Sequence, residues 1–432
     1  MKAILTLLCL VVLTTNSIKA QEIAETPLDT LTRAVSNLID DNIKSKRLKI
    51  TGYLQPQYQY CDSAGAPSYA GGDFTNGSSP YYSRFMMRRG RFKFNYVHEN
   101  VEYLCNIDAT EKGLNMRETF VRVTDKWTQS GIFSITMGLL QDQFGFELTQ
   151  SSSVRETPER ARFNQILFPT ERDLGVFGSM VLPKSSKFYG LKVDVAMMNG
   201  AAGVAPEFDS NKDFTGRIQY SKTSKDEKIQ FAIAGSGYYG GYRIGTVKDF
   251  RINKAANGDY VYKTSIDSSH YNRIAKRIYY GADAQFTIDW PIGITTIRAE
   301  YIQGEQPGTS NVSTSRSLAN LPTVPIYHRN FNAGYVYYIQ NIGNSRFQVT
   351  LKYDWYDANT LIKGTQVGKS GTNTTAADLR FDTFVFGTTY RVNTNVKLML
   401  FYDVVKNEKS SLKGYTGDAK DNVFTCRLQF KF

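Results

Sequence analysis

"NVFTCRLQFKF", residues 422–432, closes the chain. Side chains of a β-strand alternate between two faces. Phe424, Cys426, Leu428, Phe430 and Phe432 therefore share one face, and Thr425, Arg427, Gln429 and Lys431 share the other. A soluble edge strand can alternate in this way. So does a strand of a transmembrane barrel, with its apolar face in lipid and its polar face in a water-filled lumen. The rest of the sequence must choose between the two.

"MMRRGRFKFNY", residues 86–96, repeats the alternation with charge added. Arg89, Arg91, Lys93 and Asn95 fall on one face; Gly90, Phe92, Phe94 and Tyr96 fall on the other. A charge on the lipid face near the bilayer midplane costs about 2–4 kcal/mol, so three on one strand belong in a lumen. The aromatics then meet lipid or a subunit contact. Arg88 has the wrong parity for this wall unless a bulge lies near Gly90.

The same rhythm continues along the chain. "FTGRIQYS" and "IQFAIAGS" flank "KTSKDEK"; "IYYGADAQFTID" and "ITTIRAEYI" flank "WPIG". "NFNAGYVYYIQ" and "SRFQVTLKYDWY" flank "NIGN"; "DLRFDTFVFGTTYR" and "VKLMLFYDVV" flank "VNTN". Each predicted strand runs about 9–14 residues, enough for a tilted strand to cross a bilayer. Long polar joints at 239–275, 304–328, 358–377 and 406–420 alternate with the short turns. The pattern predicts an all-β protein: a transmembrane antiparallel β-barrel of sixteen strands. The first starts near Leu48, the last ends at Phe432, and both termini lie on the short-turn side. A last strand with a terminal Phe also resembles the assembly signal of bacterial outer-membrane proteins.

The opening "MKAILTLLCLVVLTTNSIKAQ" reads as a secretory signal over residues 1–20, with Lys2 ahead of a short apolar run and cleavage after Ala20. Cys9 falls inside that run. Residues 21–46 space Leu31, Val35, Leu38 and Ile39 at helical intervals, which predicts a periplasmic helix or tail before a barrel domain at 47–432. Cys61, Cys105 and Cys426 fit neither a disulfide framework nor a zinc motif. Beyond the signal, no run of about 18 apolar residues predicts a membrane helix. The formal charge is +12, or +10 once Lys2 and Lys19 are removed. In an exported chain that balance points to an anionic solute or surface and away from nucleic acid.

One connection differs from the others. "GLLQDQFGFELTQSSSVRETPERARFNQILFPTERDLGV", residues 138–176, is dense in charge yet keeps Phe163, Ile166, Leu167 and Phe168 as apolar anchors. A loop with its own packing residues is ordered against something. It either folds into the barrel and narrows it, or packs on neighbouring loops outside. From 150 to 175, Arg155, Arg160, Arg162 and Arg172 stand against Glu156, Glu159, Glu171 and Asp173, with Asp142 and Glu147 just before. Some of these charges are expected to stabilise the loop as ion pairs. The hydroxyl run Thr149, Ser151, Ser152 and Ser153 reads as loop solvation.

"RRGRFKF", "ETFVRV", "ITMGLLQDQFGFE", the pair Glu159-Arg160 and "FPTERDLGV" occur in an order that resembles the phosphate-selective porin family, porins O and P. The resemblance is strongest from about 84 to 200, and the later hairpins match in rhythm. It implies a sixteen-stranded barrel, a homotrimer, an inward-folded third loop and basic residues that guide anions. Arg88, Arg89 and Arg91 would be wall cations of the second strand, and Arg160 and Arg172 would belong to the constricting loop. With Lys93, Arg155 and Arg162 these form the candidate anion-guiding set.

The expected function is a passive, water-filled outer-membrane channel that favours anions such as phosphate or polyphosphate, with membrane lipid as its surroundings. No cofactor or metal is expected. Alternatives are a channel of general or other solute specificity, a barrel enzyme, or a soluble binding protein. His98, His270 and His328 form no catalytic constellation, no G-x-S-x-G or H-E-x-x-H occurs, and no plug of the kind used by active receptors precedes the barrel.

Overall fold

The computed structural model describes residues 47–68, 71–125, 131–314 and 320–432. The expectations for residues 1–20 and 21–46 lie outside them. Sixteen strands form the wall. The first eight are β1 (Leu48–Cys61), β2 (Ser83–His98), β3 (Val101–Thr110), β4 (Gly113–Asp125), β5 (Ile132–Gln141), β6 (Arg172–Val181), β7 (Leu191–Met198) and β8 (Asp213–Thr223). The second eight are β9 (Ile229–Arg243), β10 (Ile274–Trp290), β11 (Gly293–Gly308), β12 (Ile326–Asn341), β13 (Phe347–Asp357), β14 (Arg380–Arg391), β15 (Val396–Asn407) and β16 (Val423–Lys431). Each pairs antiparallel with its sequence neighbours. β1 closes the ring against β16, from Tyr53↔Lys431 to Cys61↔Val423. Closure satisfies the backbone of every wall strand and leaves no edge, which a spanning sheet in lipid requires.

Strand alternation decides what each face meets. On β8, Phe214 and Ile218 are exposed on the outside, while Thr215 and Arg217 are buried inside. β16 follows the sequence reading: Leu428, Phe430 and Phe432 are exposed, while Arg427 and Gln429 are buried in the lumen. The outside is thus an apolar band of Phe, Ile, Val, Met and Tyr. A closed sixteen-strand barrel with such a band is the form of a bacterial outer-membrane protein.

Both ends of the wall lie at the rim of short connections. Among the described residues, the other rim carries 62–68 and 71–82, 142–171, 199–212, 244–273, 309–314 and 320–325, 358–379 and 408–422. Its exception is the two-residue turn Glu111-Lys112, which ends at Gly113 with φ +106°. The long loops pack together. Strands Lys248–Lys254 and Tyr260–Ile266 form a hairpin that also pairs in parallel with β12 through Phe250↔Tyr327. Tyr262, Tyr327, Ile362, Val367 and Leu379 form the apolar cluster beneath it.

β2 carries the bulge that Arg88 required. Phe85 is 85% exposed on the outside, but further along Phe92 (36%) and Phe94 (37%) are the outward residues, so the parity switches between them. Arg88 and Arg89, although adjacent, both turn inward. Regular pairing with β3 begins at Arg91↔Asp108, and the Gly90 N–H donates to Asp108 Oδ1 at 3.0 Å. A Cβ at Gly90 would overlap the Ala109 carbonyl, so the irregularity needs a glycine there.

Candidate permeation path

The third connection of the long-loop rim, 142–171, runs inside the barrel. Its elbow is Gly145, at φ +60°. The N–H groups of Phe146 and Glu147 donate to Glu300 Oε2 of β11 at 3.1 and 3.2 Å, and the Tyr335 hydroxyl of β12 donates to the same oxygen at 2.7 Å. The Gly145 N–H donates to Ser236 of β9 at 3.0 Å. Past the elbow, Glu147 accepts from Tyr337 at 2.6 Å and from the Ala161 N–H and Asn164 at 2.8 Å each. A short helix, α1 (Arg162–Leu167), completes this half. The expected anchors Phe163, Ile166, Leu167 and Phe168 are all buried, against Tyr238, Tyr279, Phe331, Tyr335 and other side chains of β9–β13. Each such burial is worth roughly 1.5–3 kcal/mol. The loop therefore packs on the β9–β13 side of the lumen, through apolar side chains and buried hydrogen bonds.

The loop reaches the opposite wall through polar ties. Ser152 shares a 2.5 Å hydrogen bond with Tyr53, and its carbonyl accepts from Gln55 at 3.1 Å. The Ser153 carbonyl accepts from Gln429 at 2.9 Å. The buried Ser152 therefore pins the loop and does more than solvate it. Glu156 accepts from Arg298 of β11 at 3.1 Å. Glu159 holds three guanidiniums, Arg88 at 2.9 Å, Arg89 at 3.0 Å and Arg427 at 2.6 Å. Burial alone would raise its pKa; Arg88, Arg89 and Arg427 overcome that and hold the carboxyl well below the usual range.

The eight candidate cations do not form one cluster. Arg88 and Arg89 share the single Glu159 carboxylate with Arg427. Arg91 pairs with Asp108 at 3.4 Å. Arg160 is buried, ion-paired with Glu171, and donates to the carbonyls of Glu147, Leu148 and Gln150. Burial and the neighbouring Arg155 push its pKa well down, against Glu147. Arg162 stacks 4.1 Å over the Phe381 ring, and its backbone N–H donates to Asp354. Arg172 is the first residue of β6; it belongs to the wall and not to the loop, because pairing with Gln141 extends the sheet to it. There it pairs with Glu118 at 2.6 Å and Glu171 at 2.8 Å. Arg155 is 1% exposed, and its three guanidinium nitrogens meet no hydrogen-bond partner among the described residues. Lys93 alone of the eight combines partial exposure with the absence of any ion pair or side-chain hydrogen bond among the described residues.

Space remains on the β1–β6 side. A cavity of about 430 Å³ lies between the loop tip and this wall, towards the short-turn rim. Lys93, Arg122 and Lys431 line it, together with Arg91, Arg160 and Arg172. A second cavity, about 220 Å³, faces the long-loop rim and is lined by Arg88, Arg89, Asp108, Lys112, Arg117 and Glu171. Arg91 faces the first and its partner Asp108 the second. Likewise Arg160 and Arg172 face the first and their partner Glu171 the second. These ion pairs stand between the two spaces.

Sequence reasoning did not single out Arg117, Arg122, Glu118, Arg298 or Glu300. Strand parity was the available signal for some of them: Glu118, Phe120 and Arg122 in "ETFVRV" share a face, and all three line the larger cavity.

No known protein-family profile matches the chain, and no curated protein matches it. Solved structures do. OmpF of Salmonella typhi, in complex with daunomycin, aligns at TM-score 0.52 and 12% identity, covering 89% of this chain and 97% of that one. The outer membrane channel DcaP of Acinetobacter baumannii aligns at TM-score 0.51 and 12% identity over the same shares. A loop-deletion form of the outer membrane protein OmpT of Vibrio cholerae aligns at TM-score 0.50 and 10% identity, covering 89% and 99%. At these identities the likeness establishes the fold, which is that of outer-membrane porins.

Proposed function

We propose that the chain is a passive outer-membrane diffusion channel whose open path follows the β1–β6 wall and favours anions. The observation that carries this is the charge of the larger cavity. Arg91, Lys93, Arg122, Arg160, Arg172 and Lys431 line it against Glu102 and Glu118, a balance of 6 − 2 = +4. Counting the partners Asp108 and Glu171 as well leaves +2. That remainder corresponds to Lys93 and Lys431, whose ammonium groups meet no partner among the described residues. In a narrow space bounded by protein, such charge is poorly screened and lowers the barrier for anions. Several weak sites suit conduction better than one tight site.

Phosphate and polyphosphate are candidate solutes on the strength of the resemblance between about 84 and 200. One observation favours a channel for other anions: Arg88, Arg89, Arg91, Arg160 and Arg172 already hold carboxylates, so their forks are engaged. The homotrimer is proposed on the same resemblance and on the trimer form recorded for Vibrio cholerae OmpT. Residues 1–20 are proposed as a cleaved signal and 21–46 as a periplasmic segment ahead of the barrel at 47–432. Amino-terminal sequencing of the exported protein should begin at Gln21, and a start elsewhere would oppose that boundary.

The test of the channel is a planar-bilayer recording in a salt gradient. Stepwise conductance with an anion-favouring reversal potential is expected. No steps, or a cation-favouring potential, would overturn the proposal.

A further inference from the structure

The lumen side of a porin wall is ordinarily polar. Here four adjacent strands place apolar side chains at the larger cavity: Leu104 on β3, Phe120 on β4, Leu140 on β5 and Phe177 on β6. Leu104 and Phe120 face each other directly across the sheet. Phe120 packs on Leu140 and Phe177, with Ala196 and Met198 behind them. Gly138 stands opposite Phe120 at φ +141°, and a Cβ there would overlap the Thr119 carbonyl oxygen and crowd the Phe120 backbone, so the strands approach closely only with a glycine at this position. The apolar anchors of the constricting loop lie on β9–β13; in the patch Leu104, Leu140 and Phe177 are buried, and Phe120 is the partly exposed member that faces the cavity. Tyr53 of β1 adds a fifth apolar surface to the cavity.

Cations border the same patch. The Arg122 guanidinium lies 4.7 Å from the Phe120 ring centre, and Arg91 lies 5.7 Å from that of Tyr53. Each is neutralised, by Glu102 at 2.9 Å and Asp108 at 3.4 Å. The ammonium groups of Lys93 and Lys431, which meet no partner among the described residues, complete the lining. Small inorganic anions need only the charge. An apolar floor beside these ammonium groups is complementary to a solute that is itself divided, with a carboxylate at one end and an apolar body at the other. A volume of about 430 Å³ accommodates an aromatic ring with its carboxylate.

We infer that the solutes favoured by this channel are organic carboxylates with an apolar or aromatic body, held with the ring on the Phe120 patch and the carboxylate at Lys93 and Lys431. This rests on the anion-channel reading and narrows it. The test adds benzoate, acetate or inorganic phosphate to single channels carrying chloride current. Benzoate should block at about tenfold lower concentration than acetate or phosphate, a difference of about 1.4 kcal/mol in binding. Phe120→Ser should reduce benzoate block to the level of acetate. Equal block by benzoate, acetate and phosphate in an anion-selective wild type would overturn the inference and leave the channel reading standing, as would undiminished benzoate preference in the Phe120→Ser variant. A cation-selective wild type unaffected by all three would overturn both.

Discussion

Replacing Glu159 with Gln removes the one carboxylate on which three strand-borne or wall-facing guanidiniums converge, while changing the side chain's shape little. Its cost can be set from burial. Arg427 is 1% exposed and Arg89 5%, with Glu159 itself at 6%. Breaking a buried pair by removing one partner costs about 3–5 kcal/mol, because the other charge stays behind in a poorly solvated place. Arg88, at 24% exposure, retains access to water and adds little to that figure. Glu159→Gln should therefore destabilise the folded barrel by about 3–5 kcal/mol near neutral pH. Arg88→Gln should cost about 1 kcal/mol or less. The sign of the pH dependence follows from the depressed carboxyl pKa. A group ionised more readily in the native state contributes fully above its unfolded value, about 4.3 for Glu. The contribution fades as pH falls below that and through the lower native value. The gap between wild type and Glu159→Gln should thus be constant from neutral pH down to that point and shrink in stronger acid. Denaturant unfolding in detergent micelles, followed by tryptophan fluorescence at several pH values, measures it. A variant as stable as wild type at neutral pH, or a gap that persists unchanged in strong acid, would refute the reasoning.

Three further outcomes are expected. Gly145→Ala places a methyl group into the Glu300 carboxylate at a positive-φ elbow, so it should weaken loop docking by about 1–3 kcal/mol and appear as larger or noisier single-channel conductance; conductance identical to wild type would count against the elbow. Lys93→Glu with Lys431→Glu takes the larger cavity from +2 to 2 − 4 = −2, so the reversal potential should move towards cations; an unmoved potential would place these residues off the ion path. Phe432 exchanges backbone hydrogen bonds of 3.0 Å with Gly52, and its ring lies 5.9 Å from that of Phe92, so Phe432→Asp should lower the yield of folded, protease-resistant barrel, and normal yield would contradict a closing role for that residue.

The wall was legible because lipid imposes a strict rule on it. Every second residue of a spanning strand must tolerate hydrocarbon, so Phe92, Phe94, Phe430 and Phe432 announced their face. The loop's inward course was half legible, since Phe163, Ile166, Leu167 and Phe168 required a surface but did not say which. Tyr335 and Phe331, which supply it, lie more than 150 residues away. Charge pairing was the least legible feature. Counting loop charges gave a balanced set, yet Glu159 is neutralised chiefly by β2 and β16, with Arg427 268 residues distant. Arg172 could not be assigned to wall or loop from composition, because the strand begins at it. Arg88 defeated simple alternation through a bulge, for which Gly90 was the sequence signal.

The central claim is that ions pass along the β1–β6 wall and meet uncompensated positive charge at Lys93. The direct measurement replaces Cys61, Cys105 and Cys426 with Ser, introduces Lys93→Cys, and records current while negatively and positively charged thiol reagents of similar size are applied in turn. Both reagents should modify the site, the anionic one faster because Lys431 and the neighbouring guanidiniums remain, and its attachment should reduce the anion current. Faster reaction with the cationic reagent, or modification that leaves the current unchanged, would contradict that claim.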